Sequence, residues 1–132
     1  MIYTKIIPVE FNHCDPAGIV FYPRYFEMGN SVVENFFADI VEAPFSVIHK
    51  HTGSGIPAVD IHAEFHAPSR LGDKLNFALS IDKLGGSSMA LLIVAKNAEE
   101  KRMTLRITVV WIVDGRAQRW PIDIKKKLEA FI

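Results

Sequence analysis

Between Val59 and Val113 apolar residues recur at every second position, and this constrains the fold more than any other feature of the chain. Val59, Ile61, Ala63 and Phe65 alternate with Asp60, His62, Glu64 and His66. Leu75, Phe77, Leu79 and Ile81 alternate with Asn76, Ala78, Ser80 and Asp82. Met89 to Ala95 is apolar throughout except for spacing by small residues, and Leu105, Ile107, Val109, Trp111 and Val113 alternate with Thr104, Arg106, Thr108 and Val110. Period two marks a strand with one buried face, and the continuous run reads as a more fully buried strand. The runs are separated at hairpin-like spacing, with Asp114-Gly115 as a turn.

Ahead of these strands the period changes. From Pro23 to about Ile40, the residues Tyr25, Met28, Val32, Phe36 and Ile40 recur at helical spacing, and Phe26, Val33 and Phe37 widen the stripe. Proline suits the first helical position, which makes Tyr22 the expected N-cap. Tyr3 to Phe11 reads as a first strand, with Pro8 marking an edge or bulge. Ala43 to Thr52 reads as a short helix or irregular lid carrying His49 and His51, broken by Gly53 and Gly55. Asp123 to Phe131 reads as a C-terminal helix capped by Asp123. The order predicts an α+β fold, one antiparallel sheet wrapped around one long central helix, in a single domain spanning 1–132. One such layer leaves sheet edges and an apolar face bare, so a homodimer is expected.

Composition narrows the function. Fifteen basic and fifteen acidic residues give a formal net charge of zero, so nothing global steers the chain toward nucleic acid or an anionic membrane. Crossing a bilayer takes a run of about 20 apolar residues, which the chain lacks. Met1 to Pro8 has no basic stretch followed by a long apolar one, so no signal peptide is expected. Cys14 is the one cysteine, which excludes an intrachain disulfide and fits a reducing, cytoplasmic compartment.

The chemistry concentrates in Asn12-His13-Cys14-Asp15-Pro16-Ala17-Gly18-Ile19-Val20-Phe21-Tyr22-Pro23. Pro16 biases Asp15 away from helical backbone, so the carboxylate is held at a bend. Tyrosine caps poorly, so the first N–H groups of the helix need another partner, and a substrate carbonyl oxygen is one candidate. An acid beside unpaired N–H groups is a way to attack a carbonyl without a Ser or Cys nucleophile or a metal. His13 reads either as a group that orients Asp15 or tunes its acidity or as a loop histidine with no role, whereas Cys14 reads as a small buried thiol. His62 and His66 do not read as metal ligands: four strand steps separate them by about 13 Å. Glu34 reads as a surface or interface charge, and Lys125, Lys126 and Lys127 as a solvated helix face.

Asp15-Pro16-Ala17-Gly18-Ile19-Val20-Phe21-Tyr22-Pro23, followed by Tyr25, resembles the active-site segment of the 4-hydroxybenzoyl-CoA thioesterase family of hotdog-fold proteins. Gly55-Ile56-Pro57-Ala58-Val59 through Phe65-His66-Ala67-Pro68-Ser69-Arg70-Leu71-Gly72-Asp73 resembles that family's second strand and the turn after it. The resemblance implies hydrolysis of an aryl- or short-chain acyl-CoA at a dimer interface, with dimers often paired into tetramers. Asp15 would be the catalytic carboxylate, attacking the carbonyl to give a mixed anhydride or activating a water, and the Tyr22 N–H would polarise the carbonyl. No metal or cofactor is implied; coenzyme A enters as part of the substrate.

Two departures stand out. Where the 4-hydroxybenzoyl branch places a helix carboxylate against the substrate hydroxyl, this chain has Asn30, which is uncharged. That branch's basic loop is here Lys83-Leu84-Gly85-Gly86-Ser87-Ser88, so phosphates would meet the N–H and hydroxyl groups of Gly86, Ser87 and Ser88. Arg119, with Arg116, is the candidate cation for them. Phe21, Tyr25 and Phe26 are read as core, with one or two lining an acyl pocket. Two other readings stay open: a thioesterase acting on acyl carrier protein, and a non-catalytic acyl-CoA binding module.

Overall fold

A computed structural model of the chain describes residues 1–50 and 53–132. Its strands are β1 (Tyr3–Pro8), β2 (Ser54–Gly55), β3 (Ala58–Phe65), β4 (Lys74–Leu84), β5 (Ser88–Asn97), β6 (Glu100–Val110), β7 (Ile112–Val113) and β8 (Arg116–Ala117). Its helices are α1 (Tyr22–Asp39), the single turn α2 (Phe45–Ile48) and α3 (Ile122–Phe131), with a 3₁₀ turn at Phe11–His13. Five strands form one antiparallel sheet in the order β1-β4-β5-β6-β3, and β2-β7-β8 form a small second sheet. Among the described residues no helix is long and apolar enough to cross a membrane.

Register makes the core. Phe77 lies opposite Ala95 and Leu79 opposite Ile93, and Ile93 in turn faces Leu105, so one face of β4, β5 and β6 presents a continuous apolar sheet. Helix α1 covers that face with Tyr25, Met28, Val32, Val33, Phe36 and Phe37, all buried. Gly29 lets the helix come close: a Cβ there would sit 2.6 Å from Leu105 Cδ2. Each large apolar side chain sealed in this way contributes roughly 1.5–3 kcal/mol.

Several boundaries differ from the sequence expectation, each for a local reason. β1 stops at Pro8 because the chain folds into the 3₁₀ turn at Phe11–His13. Phe21, not Tyr22, is the N-cap of α1, so Tyr22 is the first helical residue and Pro23 the second. Pro121 precedes α3, which leaves Asp123 in its first turn rather than at the cap. β6 ends at Val110 because Trp111 turns away to donate its N–H to Ser87 O (2.8 Å). The Asp114-Gly115 turn is present, both residues having the positive φ (51° and 77°) that a tight hairpin turn needs. β5 is sealed on one face only: Met89, Leu91, Ile93 and Ala95 are buried, while Ala90, Leu92 and Val94 are partly exposed. The expected lid shrinks to α2; His49 is exposed there, and His51 and Thr52 lie outside the described residues.

Candidate active site

Residues 13–21 close into a small hairpin. Phe21 N donates to His13 O (2.9 Å), Cys14 bridges Val20, and Asp15 N donates to Ile19 O (3.0 Å). At the tip, Gly18 N donates to Asp15 O (2.9 Å), and Gly18 takes φ +80°, a conformation that favours glycine. Proline after the first turn residue supplies the required φ at Pro16. The half-buried Asp15 serves this turn directly, its Oδ1 accepting the Ala17 N–H at 2.9 Å. Its Oδ2 has no hydrogen-bond partner among the described residues.

The second arm of the hairpin runs straight into α1, and there the helix start is incomplete. Phe21 offers no side-chain cap, and Pro23 has no N–H. The Tyr22 N–H has no partner among the described residues, whereas the next donor, Arg24 N, already reaches Phe21 O (2.8 Å). An unpaired N–H at the positive end of a helix of 18 residues is a preformed site for a partially negative oxygen.

Beside it lies a pocket of about 320 Å³ lined by Ile19, Val20, Tyr22, Tyr25, Phe65 and His66, with Ala67 and Pro68. Phe65 organises the aromatic wall: its ring centroid is 5.5 Å from Tyr25 and 6.4 Å from both Tyr22 and Phe26. His66 is steadied by Nε2, 2.8 Å from Thr104 Oγ1. Tyr25 is therefore buried and lines the pocket by one edge, Phe26 reaches it through Phe65, and Phe21 is exposed against Tyr22. Asn30 is exposed on α1, in the same i, i+4 stripe as Tyr22 and Phe26 and about 12 Å beyond Tyr22 along the axis.

His13 departs from expectation. Its Nδ1 accepts the Glu10 N–H (2.8 Å), and it lines a separate groove of about 410 Å³ with Lys5, Arg24 and Glu27. It makes no hydrogen bond to Asp15. Cys14 is half-buried with Sγ 3.7 Å from Glu10 O. His62 pairs weakly with Glu64 (3.6 Å), and no metal-ligand cluster exists among the described residues. Glu34 is exposed, and Lys127 meets Glu42 at 2.6 Å.

Gly86, Ser87 and Arg119 do come together, lining a third pocket of about 330 Å³ with Ala117 and Gln118. The carbonyls of Gly86 and Ser87 accept from Trp120 N (2.9 Å) and Trp111 N (2.8 Å), while their own N–H groups have no partner among the described residues. Ser88 stands apart. It opens β5, its hydroxyl lies over Gly85, and its carbonyl accepts the Trp120 indole N–H at 3.2 Å. Arg116 is exposed and does not line this pocket.

Sequence reasoning missed the layer behind the aromatic pocket. Arg102 is almost fully buried, and its Nη1 donates to Asp73 Oδ2 (2.7 Å), Pro68 O (3.0 Å) and Ser69 Oγ (3.3 Å). Its Nε lies 2.7 Å from Glu100 Oε1 without the alignment of a hydrogen bond. The Arg70 N–H, and then the Arg102 guanidinium, hold the Asp73 carboxyl below the usual carboxylate range. A charged run, Glu99-Glu100-Lys101-Arg102, gives no sign that its last member turns inward.

A sheet of this order with one long helix against it is the hotdog architecture, and the site lies at the start of that helix. A family model for a thioesterase-like superfamily matches residues 9–128, so the chain belongs to that superfamily, an enzyme of the thioesterase class. Among curated proteins none matches the sequence. Among solved structures the chain is similar to a gentisyl-coenzyme A thioesterase, at 23% identity over 96% of this chain and 99% of that one, with a TM-score of 0.88. It is similar to a 1,4-dihydroxy-2-naphthoyl-CoA thioesterase from Synechocystis, at 18% identity over 97% and 96%, with a TM-score of 0.89. A hypothetical protein from Staphylococcus aureus in complex with CoA is similar at 13% identity over 99% and 84%, with a TM-score of 0.91.

Proposed function

We propose that this protein hydrolyses an aryl- or short-chain acyl-CoA thioester to the free acid and coenzyme A. The observation that carries the reading is the unpaired Tyr22 N–H at the head of α1, fed by a hairpin whose tip holds an Asp15 oxygen without a partner. The thioester oxygen accepts from Tyr22 N–H, which stabilises the negative charge that grows there in the tetrahedral intermediate; one such donor is worth about 10²–10³ in rate. Asp15 either attacks the carbonyl carbon, expelling the thiolate and leaving a mixed anhydride that water opens, or takes a proton from the water that attacks. Both routes consume one water and need no metal or cofactor.

The aromatic wall of Tyr22, Tyr25 and Phe65 suits a flat or short acyl group, with Asn30 further along the same helix face as a hydrogen-bonding partner for a substituent. Two of the similar structures carry names of enzymes acting on aryl-CoA esters, which supports that preference. The free N–H groups of Gly86 and Ser87 with Arg119 suit a phosphate of the nucleotide. His13, whose Nδ1 accepts the Glu10 N–H, and Ser88, which does not line the Gly86–Arg119 pocket, have no part in this reading. The bare β3 edge fits a homodimer, which would pair into a tetramer, acting in the cytoplasm.

Asp15→Asn separates turn from chemistry, because an asparagine oxygen can still accept the Ala17 N–H while the charge is gone. Thiol release should be followed on aryl-, short- and medium-chain CoA esters and on pantetheine and acyl-carrier-protein esters. We expect turnover of an aryl or short ester by the native protein and a loss of about 10²–10⁴-fold in the variant, with an unchanged circular dichroism spectrum. Full activity in Asp15→Asn overturns the assignment. Indifference to the nucleotide would favour a carrier-protein substrate, and acyl-CoA binding without turnover a binding module.

A further inference from the structure

Ser69 sits where three elements meet, and nothing in the reaction itself uses it. It is fully buried, and among the described residues Arg102 is the other buried polar one. Its carbonyl accepts the Val20 N–H at 2.8 Å, so the second arm of the Asp15 hairpin hangs on it. Its hydroxyl accepts the Tyr25 O–H at 2.8 Å, from the first turn of α1, and Arg102 Nη1 at 3.3 Å, from β6. Arg102 also grips the preceding carbonyl, Pro68 O, and the Asp73 carboxylate a few residues on. Asp73 O and Val9 O then close the same loop against the chain that leaves β1, through Val9 N (2.8 Å) and Gly72 N (3.0 Å).

We propose that Ser69 is a positioning residue for the thioesterase site: through one hydroxyl and one carbonyl it holds the Asp15 hairpin and the head of α1 in a common frame referred to the sheet. This rests on the function proposed above. The geometry explains why a hydroxyl matters. Beyond the turn's own bonds and the packing of Val20 and Tyr22, the one backbone hydrogen bond from residues 16–20 to another segment, among the described residues, is the Val20 N–H to Ser69 O. The bond from Val20 is to backbone, but the loop that presents that carbonyl is itself positioned by the Ser69 Oγ and Pro68 O contacts to Arg102. Without the Oγ, Tyr25 and Arg102 each lose a buried partner, and the loop bearing the Ser69 carbonyl is free to shift against α1. A displacement of about 1 Å between a catalytic group and its oxyanion donor can lower a rate about a hundredfold while leaving binding contacts elsewhere intact.

The test is Ser69→Ala beside Tyr25→Phe, each read by steady-state kinetics on the best CoA ester and by amide hydrogen exchange on the intact protein. For Ser69→Ala we expect kcat to fall between about tenfold and a hundredfold with KM within twofold of native. The amides of residues 14–22 should exchange at least about tenfold faster, with those of β4 and β5 unchanged. Tyr25→Phe, which leaves Ser69 on Arg102, should show the same pattern more weakly, and the double variant should be no slower than Ser69→Ala alone. A Ser69→Ala protein with native kcat, or with exchange in 14–22 unaltered, overturns the inference. So does a double variant in which the two losses multiply. Should Ser69→Ala fail to fold, Tyr25→Phe decides by the same two readouts. If the native protein cleaves no thioester, the functional reading fails on the substrate panel; native turnover lost in Asp15→Asn but kept in Ser69→Ala sinks this inference alone.

Discussion

β4 and β3 carry the same alternating pattern and meet opposite fates. In β4, Leu75, Phe77 and Leu79 are 0% exposed. In β3, Val59 is 62% exposed, and Ile61 and Phe65 are each 48% exposed. The cause is position, not composition. β4 lies inside the sheet between β1 and β5 with α1 and α3 packed over it, while β3 is the edge beyond β6. Ile61, Ala63 and Phe65 register with Ile107, Leu105 and Met103 and so share the core side of the sheet, yet only Ala63 of the strand is even partly buried. Period two thus identifies the side of a strand that seeks cover without saying whether the same chain supplies it. An apolar edge with unpaired backbone groups is what a second copy of the chain would cover.

The contrast is broken most forcefully at Phe77. Phe77→Ala empties a fully buried site on β4 and should destabilise the protein by about 3–5 kcal/mol, read as a fall in the urea midpoint at constant slope. A loss below about 1 kcal/mol would mean that β4 is no more sealed than β3. The matching change on the edge, Ile61→Lys, should behave differently. It should leave the unfolding of the monomer within about 0.5 kcal/mol of native, since the side chain is half exposed there. It should raise the dissociation constant of the homodimer proposed above about 10–100-fold, equivalent to roughly 1.4–2.8 kcal/mol, measured by sedimentation equilibrium. Unchanged association in this variant would rule out β3 as the dimer edge.

The same logic says what of the fold and site was legible beforehand. α1, the strands and the Asp15–Tyr22 segment were readable because each depends on neighbours close in sequence: apolar spacing, a proline after Asp15, a proline in the first helical turn. Of the Gly86, Ser87 and Ser88 loop, only Gly86 and Ser87 line a pocket with Arg119, which joins them because the turn at Asp114-Gly115 folds that stretch back. What could not be read depends on register between distant strands. Phe65 meets Tyr22 and Tyr25 only because β3 pairs with β6 under the head of α1. Ser69 and Arg102 lie 33 positions apart, and no spacing rule joins them. The place of His13 is set by a purely local contact instead: the 3₁₀ turn draws its ring back onto the Glu10 N–H.

β1 supplies the finest version of the comparison, because it is the other edge of the sheet yet has a tie that β3 lacks. The Tyr3 hydroxyl donates to Asp39 Oδ2 at 2.6 Å, pinning the start of β1 to the last turn of α1, and its ring meets Phe36 edge-on at 5.8 Å. Burial, then the hydrogen bond and charge of Asp39, push the Tyr3 hydroxyl up from 10.0 to about 12. A raised value in the folded state means that folding favours the neutral phenol. The stability it contributes is therefore fully present below pH 10.0 and is lost as pH rises toward about 12. Tyr3→Phe keeps the ring contact and removes the tie, so it should lower stability by about 1 kcal/mol at neutral pH. In that variant the decline between pH 10.0 and about 12 should be shallower than in the native protein, because the phenol that titrates there is gone. Denaturation curves of the two proteins at neutral pH and across that alkaline window measure both effects. Parallel curves throughout would show that β1 is held by its ladder to β4 alone, and that the two edges of the sheet differ only in what packs over them.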